Sequence, residues 1–459
     1  MNVRFRFAAE NDSAARRLVV VSILALLTGA GAGLIGAVFR LSLEAADRLR
    51  DSILVWARGS EALGLVAVVL ICGAATAVAA WMVRRFSPYA AGSGIPHVES
   101  VLRGESAPAP LLLLPVKFIG GVLAIGSGLA LGREGPSVQM GASFARLIGR
   151  MFALRPADAR VLLAAGSGAG LATAFNAPIA GAIFVLEELV QKFEHHVAIA
   201  ALAASATAIA VARALLGDSP DFSVAALSAV SLRQEVLFLL AGALAGLLAI
   251  AYNRFLLAAM AFVDGLTPAP PFWRAAAIGA SVGALAWVAP DLVGGGDRLT
   301  QSALAGKGDL AALGLIFLLR FVLGAASYAS GAPGGLFAPL LTLGAQSGLM
   351  FGMICAAAFP QAAIQPASFA LVGMAAFFTG VVRSPLTGIV LVTEMTANTS
   401  LLLPMLVASF AAMLVPTLFR NEPIYDSLRL KVLERDRAEE AQAQARAQPA
   451  PAKREAVEI

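Results

Sequence analysis

Two stretches of the chain are imperfect copies of each other, and both break a long apolar run with proline and glycine. Asn176-Ala-Pro-Ile-Ala-Gly-Ala-Ile-Phe-Val-Leu-Glu187 matches Arg383-Ser-Pro-Leu-Thr-Gly-Ile-Val-Leu-Val-Thr-Glu394. Pro178 and Pro385, Gly181 and Gly388, and Glu187 and Glu394 stand 207 residues apart, as do Gly166 and Gly373. Upstream, Gly132, Pro136, Gly141 and Gly149 return as Gly335, Pro339, Gly344 and Gly352 at a spacing of 203. Two related halves with interrupted apolar helices are the pattern of a transporter whose site lies where the repeats meet. The chain therefore reads as an ion or solute pathway.

Such halves must sit in lipid, and composition agrees: 59% of the 459 residues are hydrophobic, 14% are charged, and mean hydropathy is +0.80. A soluble chain is nearer a quarter charged. Apolar runs fall at roughly 18–44, 62–83, 110–131, 161–190, 197–216, 235–264, 272–290, 310–329, 335–359, 368–393 and 401–419, many long enough to span a bilayer. Several are too long for one crossing and too rich in glycine for one straight helix. Tilted, paired and re-entrant pieces buried in protein are expected, with more helices than apolar runs.

Arg4, Arg6, Arg16 and Arg17 precede the first run, Arg84 and Arg85 follow the second, and Arg420, Arg429, Lys431, Arg435 and Arg437 follow the last. The positive-inside rule puts all three clusters, and both termini, in the cytoplasm. The first apolar run begins at Leu18 and continues for a full span, unlike a signal peptide. The net charge of +5 comes from residues flanking spans, so topology explains it better than a nucleic-acid partner. Cys72 and Cys355 read as buried free thiols, and His97, His195 and His196 as loop or interface residues without ligand spacing, so no metal is expected. No HExxH or Ser/His arrangement inside the spans suggests an enzyme. The expected segments are 1–17 as a cytoplasmic N-terminal piece, 18–216 as the first membrane repeat, 217–234 as a linker, 235–430 as the second repeat with a final helix, and 431–459 as a charged cytoplasmic tail.

Four motifs carry chemistry. Gly92-Ser-Gly-Ile-Pro96 has the proline and small residues of an exposed helix start, where unpaired N–H groups attract anions. By itself it reads more readily as an ordinary capped turn. Gly132-Arg-Glu-Gly-Pro136 puts Glu134 at a helix start deep in an apolar region, where an unpaired charge costs at least about 2.5 kcal/mol. It is either a pathway residue or one partner of a structural Arg133–Glu134 pair. Gly331-Ala-Pro-Gly-Gly-Leu-Phe-Ala-Pro339 occupies the corresponding place in the second half without a charge, leaving backbone amides around Leu336 and Phe337 as the anion donors, unless it is a plain glycine hinge. Glu187 and Glu188 close an apolar run. Neighbouring helical positions diverge by about 100°, so one could take protons from the cytoplasm while the other pairs with Lys192 or Arg155. From these residues alone an interfacial charge cluster is the favoured reading. Lys117 is a further buried charge and a possible balance for Glu134, and Tyr425 alone would read as an aromatic-belt tyrosine.

In this order, GSGIP at 92–96, GREGP at 132–136, GGLFAP at 334–339 and Tyr425 after the final span resemble the CLC family of chloride channels and chloride/proton antiporters. The likeness runs from about Leu18 to Leu430 and includes Leu-Pro-Val-Lys-Phe, Phe-Asn-Ala-Pro and Pro-Leu-Thr-Gly. It implies an all-α polytopic homodimer of two inverted repeats, each subunit with its own anion pathway. Ser93 and Tyr425 would give hydroxyl donors to a central chloride, and Leu336 and Phe337 backbone N–H groups. Glu134 would be the external gate, its ionised carboxylate occupying an anion position and yielding it to chloride when protonated. Glu188 matches the glutamate that receives cytoplasmic protons in the family's antiporters, with Glu187, Glu99 and Lys117 in support. The resemblance thus implies exchange of two chloride ions per proton with no cofactor, a passive chloride channel of the same fold being the alternative. Ser93 matches the chloride pattern, where nitrate exchangers carry proline. The chain stops before the paired nucleotide-binding domain of many eukaryotic members, so a bacterial inner membrane is expected. His97 stands where an acid is common in the family.

Overall fold

Polarity is inverted relative to a water-soluble protein. Val55, Trp56 and Leu63 point outward at 73, 70 and 78% exposure, whereas Lys117, Glu134 and Arg320 are sealed inside. Lipid is the solvent that tolerates this distribution. The computed structural model describes residues 2–225, 232–266 and 269–447. Linker positions 226–231 and tail positions 448–459, both named above, lie outside the described residues.

The first half runs through α1 (Asn2–Ala57), α2 (Glu61–Phe86), α3 (Ile95–Arg103), α4 (Leu113–Gly126), α5 (Glu134–Met151), α6 (Pro156–Phe175), α7 (Pro178–Phe184) and α8 (His195–Leu216). The second comprises α9 (Leu232–Asp264), α10 (Pro271–Val288), α11 (Asp297–Leu304), α12 (Leu310–Ala329), α13 (Phe337–Ala358), α14 (Pro366–Val382), α15 (Pro385–Thr396) and α16 (Leu402–Leu418), followed by α17 (Ile424–Ala447). Among the described residues no strand forms, and there are seventeen α-helices, more than the eleven apolar runs; α3, α5, α11 and α17 lie outside those runs. Six of them are long and apolar enough to cross a membrane.

The breaks are themselves repeated. Asn176 ends α6 and Arg383 ends α14 in the left-handed region, at φ of 51° and 78°. Two residues later Pro178 and Pro385 restart a helix, where a missing N–H costs nothing. The 203 and 207 spacings meet in space. A Cβ on Gly141 of α5 would lie 2.2 Å from the Gly166 carbonyl of α6, and one on Gly344 of α13 would lie 2.4 Å from that of Gly373 in α14. Only glycine lets these backbones touch.

The halves also exchange contacts. Glu187 accepts from the N–H groups of Leu386 and Thr387 at 3.0 and 2.7 Å, so it caps the start of α15. Its repeat partner Glu394 accepts from Ile179 and Ala180 at 3.1 and 2.8 Å and caps α7. The expected pairing of one of these two glutamates, Glu187 and Glu188, with Lys192 or Arg155 is therefore corrected: orphan amides at a helix start hold the Glu187 carboxylate more firmly than a mobile surface cation, and Arg155 pairs with Asp158. Glu187→Ala and Glu394→Ala should each cost about 1 kcal/mol or somewhat more. In detergent melts we expect the larger loss for Glu187, which also accepts from the Thr387 hydroxyl at 2.8 Å.

Candidate functional site

Helix starts from both halves converge at the centre. The turn before α3 needs two left-handed residues, supplied by Gly92 at φ 56° and Gly94 at φ 82°. Gly94 also has no room for a side chain, since a Cβ would stand 2.2 Å from Gln139 Oε1. The turn is knitted to the second half by Gly92 N–H to the Ala332 carbonyl at 3.2 Å and Gly334 N–H to the Gly92 carbonyl at 3.0 Å. Gly132 and Gly335, equivalent in the repeat, exchange hydrogen bonds of 2.9 and 2.7 Å. The starts of α3, α5 and α13 are thereby drawn together, and a Cβ on Gly135 would lie 2.4 Å from Ser93 Oγ. Unpaired amides and helix dipoles aimed at one point favour an anion there.

Glu134 is the first residue of α5, and its carboxylate reaches across to the other half. Oε1 accepts the Phe337 N–H of α13 at 2.6 Å, and Oε2 is buried with no hydrogen-bond partner. Glu134 and Phe337 are themselves repeat equivalents, 203 apart. One half thus lays a carboxylate on the amide that the other half offers from the same place in the fold. Ser93 Oγ and Tyr425 Oη are buried close by; they lie beside each other, but neither meets a protein group with hydrogen-bond geometry. The Ser93 N–H donates to the Tyr328 hydroxyl at 3.3 Å. The Phe337 ring packs against Phe175, Phe184, Phe378 and Tyr425, which seals the point from lipid.

Glu188 lies in a π-helical turn, Val185–Leu189, and is 5% exposed. The Ser384 hydroxyl, which precedes α15, donates to its carboxylate. The repeat counterparts of these two residues are Met395 and Ala177, both buried and apolar, so this polar contact breaks the internal symmetry. Tyr425 is within electrostatic reach of both Glu134 and Glu188, and Glu99 and Asp426 are within reach of Glu188. Glu99 is buried and paired with Arg103, while Arg429 Nε lies 3.6 Å away.

Two cavities flank the site. One, of about 670 Å³, reaches Gly92, Gly94 and Tyr328 and carries Arg84, Arg274, Lys431 and Arg435 against the single acid Asp264. The other, of about 180 Å³, reaches Gly132 and Ala338. Its wall mixes Arg40 and Arg133 with Glu44, Asp47, Asp221 and Asp297.

Three expectations change. Among the described residues Arg133 makes no ion pair with Glu134; it bonds the Ala174 carbonyl at 2.8 Å and Asp221 at 3.1 Å. Lys117 does not balance Glu134 either. Its ammonium donates to the carbonyls of Ala90 and Gly92 at 3.0 and 2.7 Å, tethering the turn that carries Ser93, because carbonyls lie within reach of its stem and the carboxylate is taken by Phe337. His97 is buried in α3, stacked on Tyr89 with Nε2 3.3 Å from the Ala107 carbonyl, and is no loop residue. Sequence reasoning missed Arg320, which holds the carbonyls of Leu292, Gly294 and Gly295 at 2.7 to 3.1 Å. An arginine alone in the apolar run 310–329 was the signal. It also missed Ser384, visible as the polar departure from Ala177 in the repeat.

The family model for the voltage-gated chloride channel matches residues 75–417. The chain belongs to that family. Tyr425 lies beyond the matched range, whereas the three glycine-rich motifs lie within it. Among curated proteins, this member of the voltage-gated chloride channel family is 38% identical over 433 residues to the H(+)/Cl(-) exchange transporter ClcA of Vibrio cholerae serotype O1, covering 92% of this chain and 91% of that one. It is 35% identical over 429 residues to ClcA of Citrobacter koseri, with the same coverages. Among solved structures, a slow cyanobacterial Cl-/H+ antiporter superposes with a TM-score of 0.87 at 32% identity over 90% of this chain and 98% of that one. The all-α polytopic fold of the family follows.

Proposed function

We propose that the protein exchanges chloride for protons, two chloride ions per proton, with Glu134 as the group that both ions use. The observation that carries this is the Glu134 carboxylate on the Phe337 amide, between two cavities. An amide that binds a carboxylate binds chloride through the same donor. Ionised, Glu134 holds the position; protonated, it loses its charge and much of its strength as an acceptor, and chloride takes its place. Each turnover thereby couples one protonation to anion movement.

Ser93 and Tyr425 give hydroxyl donors to the next anion position, and Leu336 joins Phe337 as a backbone donor. Glu188 is the second proton carrier, buried within reach of Tyr425 and held by Ser384, with Glu99 and Glu187 in support. Lys117 acts on Ser93 through the backbone. The wide basic cavity draws anions toward Ser93 by its net positive wall. The protein is read as a homodimer in a bacterial inner membrane, crossing it many times with both termini in the cytoplasm, and ClcA relatives from bacteria support that placement.

The test uses purified protein in liposomes with high chloride inside, recording external pH and chloride after valinomycin is added at matched potassium. Chloride leaving should drive proton uptake against the proton gradient. Chloride release without proton movement would instead make this a passive channel.

A further inference from the structure

The linker between the halves reaches into the narrow cavity. Asp221 is 4% exposed in its side chain and joins two guanidinium groups, Arg40 of α1 at 2.8 Å and Arg133 at 3.1 Å. The segment around it is pinned. Phe222 is buried and its N–H donates to the Met395 carbonyl at 3.0 Å. Ser223 exchanges hydrogen bonds of 3.0 and 2.8 Å with the Gln301 side chain of α11, and the Ser219 carbonyl accepts from Asn176 at 3.1 Å. A carboxylate held this firmly beside the residue that precedes Glu134 has a consequence for Glu134.

We propose that Asp221 is a positioning residue that draws the Arg133 guanidinium into an ion pair, offsets its charge at Glu134 and thereby sets the pH at which Glu134 gives up the anion position. Arg133 and Glu134 are chain neighbours, so a free guanidinium would stabilise the ionised carboxylate on Phe337 and keep chloride out. Asp221 and the Ala174 carbonyl hold the Arg133 guanidinium, and the negative charge of Asp221 offsets the arginine and favours the protonated gate. The other charged groups around this mouth are Arg40, Glu44 and Asp47 from α1 and Asp297 from α11, the last 3.9 Å from Arg133 and well exposed. Nearby Arg213 is paired with Asp218 and faces Asn176, and Glu394 is spent on α7. Asp221 is thus the buried acid on which Arg133 depends.

This proposal rests on the exchange reading and makes two predictions of opposite sign. Asp221→Asn removes a negative charge, so the half-activation of chloride flux should move to lower pH by about one unit, a tenfold change in proton concentration. Arg40→Gln removes a positive charge and leaves Asp221 to Arg133 alone, so its midpoint should move to higher pH. Asp221→Glu should return toward the wild-type profile. Fluxes are measured in liposomes from pH 4 to 8, each normalised to its own maximum, since a merely structural defect lowers the maximum without moving the midpoint. Superimposable profiles for wild type, Asp221→Asn and Arg40→Gln overturn the proposal; if Asp221→Asn does not purify folded, an unmoved Arg40→Gln profile does so by itself. Uncoupled chloride flux in the wild type would sink the exchange reading, whereas the midpoint shifts would still report on Asp221.

Discussion

Glu134→Ala is expected to reduce coupled proton uptake to the bilayer leak while chloride continues to cross at a rate within a few-fold of wild type. In the native protein the carboxylate takes the Phe337 N–H at 2.6 Å, so an anion can use that amide only when Glu134 has left it. Alanine leaves the amide open at every pH and removes the proposed proton carrier in the same step. Glu134→Gln retains the volume but cannot ionise, so it should lose proton coupling equally. Simultaneous pH and chloride traces in liposomes give the result directly. Proton uptake that persists in the alanine variant would take Glu134 out of the mechanism. The pH dependence of chloride flux should vanish too, because nothing remains at the amide to titrate.

The second large effect is expected at Glu188. Its carboxylate is buried, accepts from Ser384 and belongs to no ion pair among the described residues, which makes it a candidate to carry a proton. Glu188→Gln keeps the shape and can still accept from Ser384, so folding should survive, yet the amide cannot shuttle protons. Proton transport should fall to background, with chloride flux retained because Ser93, Phe337 and Tyr425 are untouched. Monodisperse protein in detergent separates this outcome from misfolding. An unchanged chloride-to-proton ratio would return Glu188 to a structural role.

Much of the site was legible because its chemistry is written in small residues. Gly92, Gly94, Gly132, Gly335 and the prolines beside them mark helix starts, and helix starts bring amides and partial positive charge with them. Glu134 stood out because a carboxylate in an apolar run needs a reason. The partners of the charges were harder to read. Arg133 is the chain neighbour of Glu134 and Lys117 is a buried charge 17 positions before it, and simple charge balance pointed each at it. In the structure, backbone carbonyls take Lys117, and Asp221, 88 positions from Arg133, takes the arginine. Long-range polar partners follow from three-dimensional closure, which local pattern does not encode.

By itself the sequence determined the membrane character of the chain, its two related halves, the positions of the helix breaks and the residues proposed to meet an anion. Each of these follows from local rules: hydropathy over about 20 residues, proline and glycine geometry, and repeated spacing. Tertiary structure alone decided which helix receives which acid. Glu134 lies on the amide of Phe337 in the other half, Glu187 and Glu394 cap helices in opposite halves, and Glu188 finds Ser384 where the symmetry-related place holds only Met395 and Ala177. The physical reason is that a helix start offers the same amides to any acid within reach. Only the packing of one half against the other determines which acid that is.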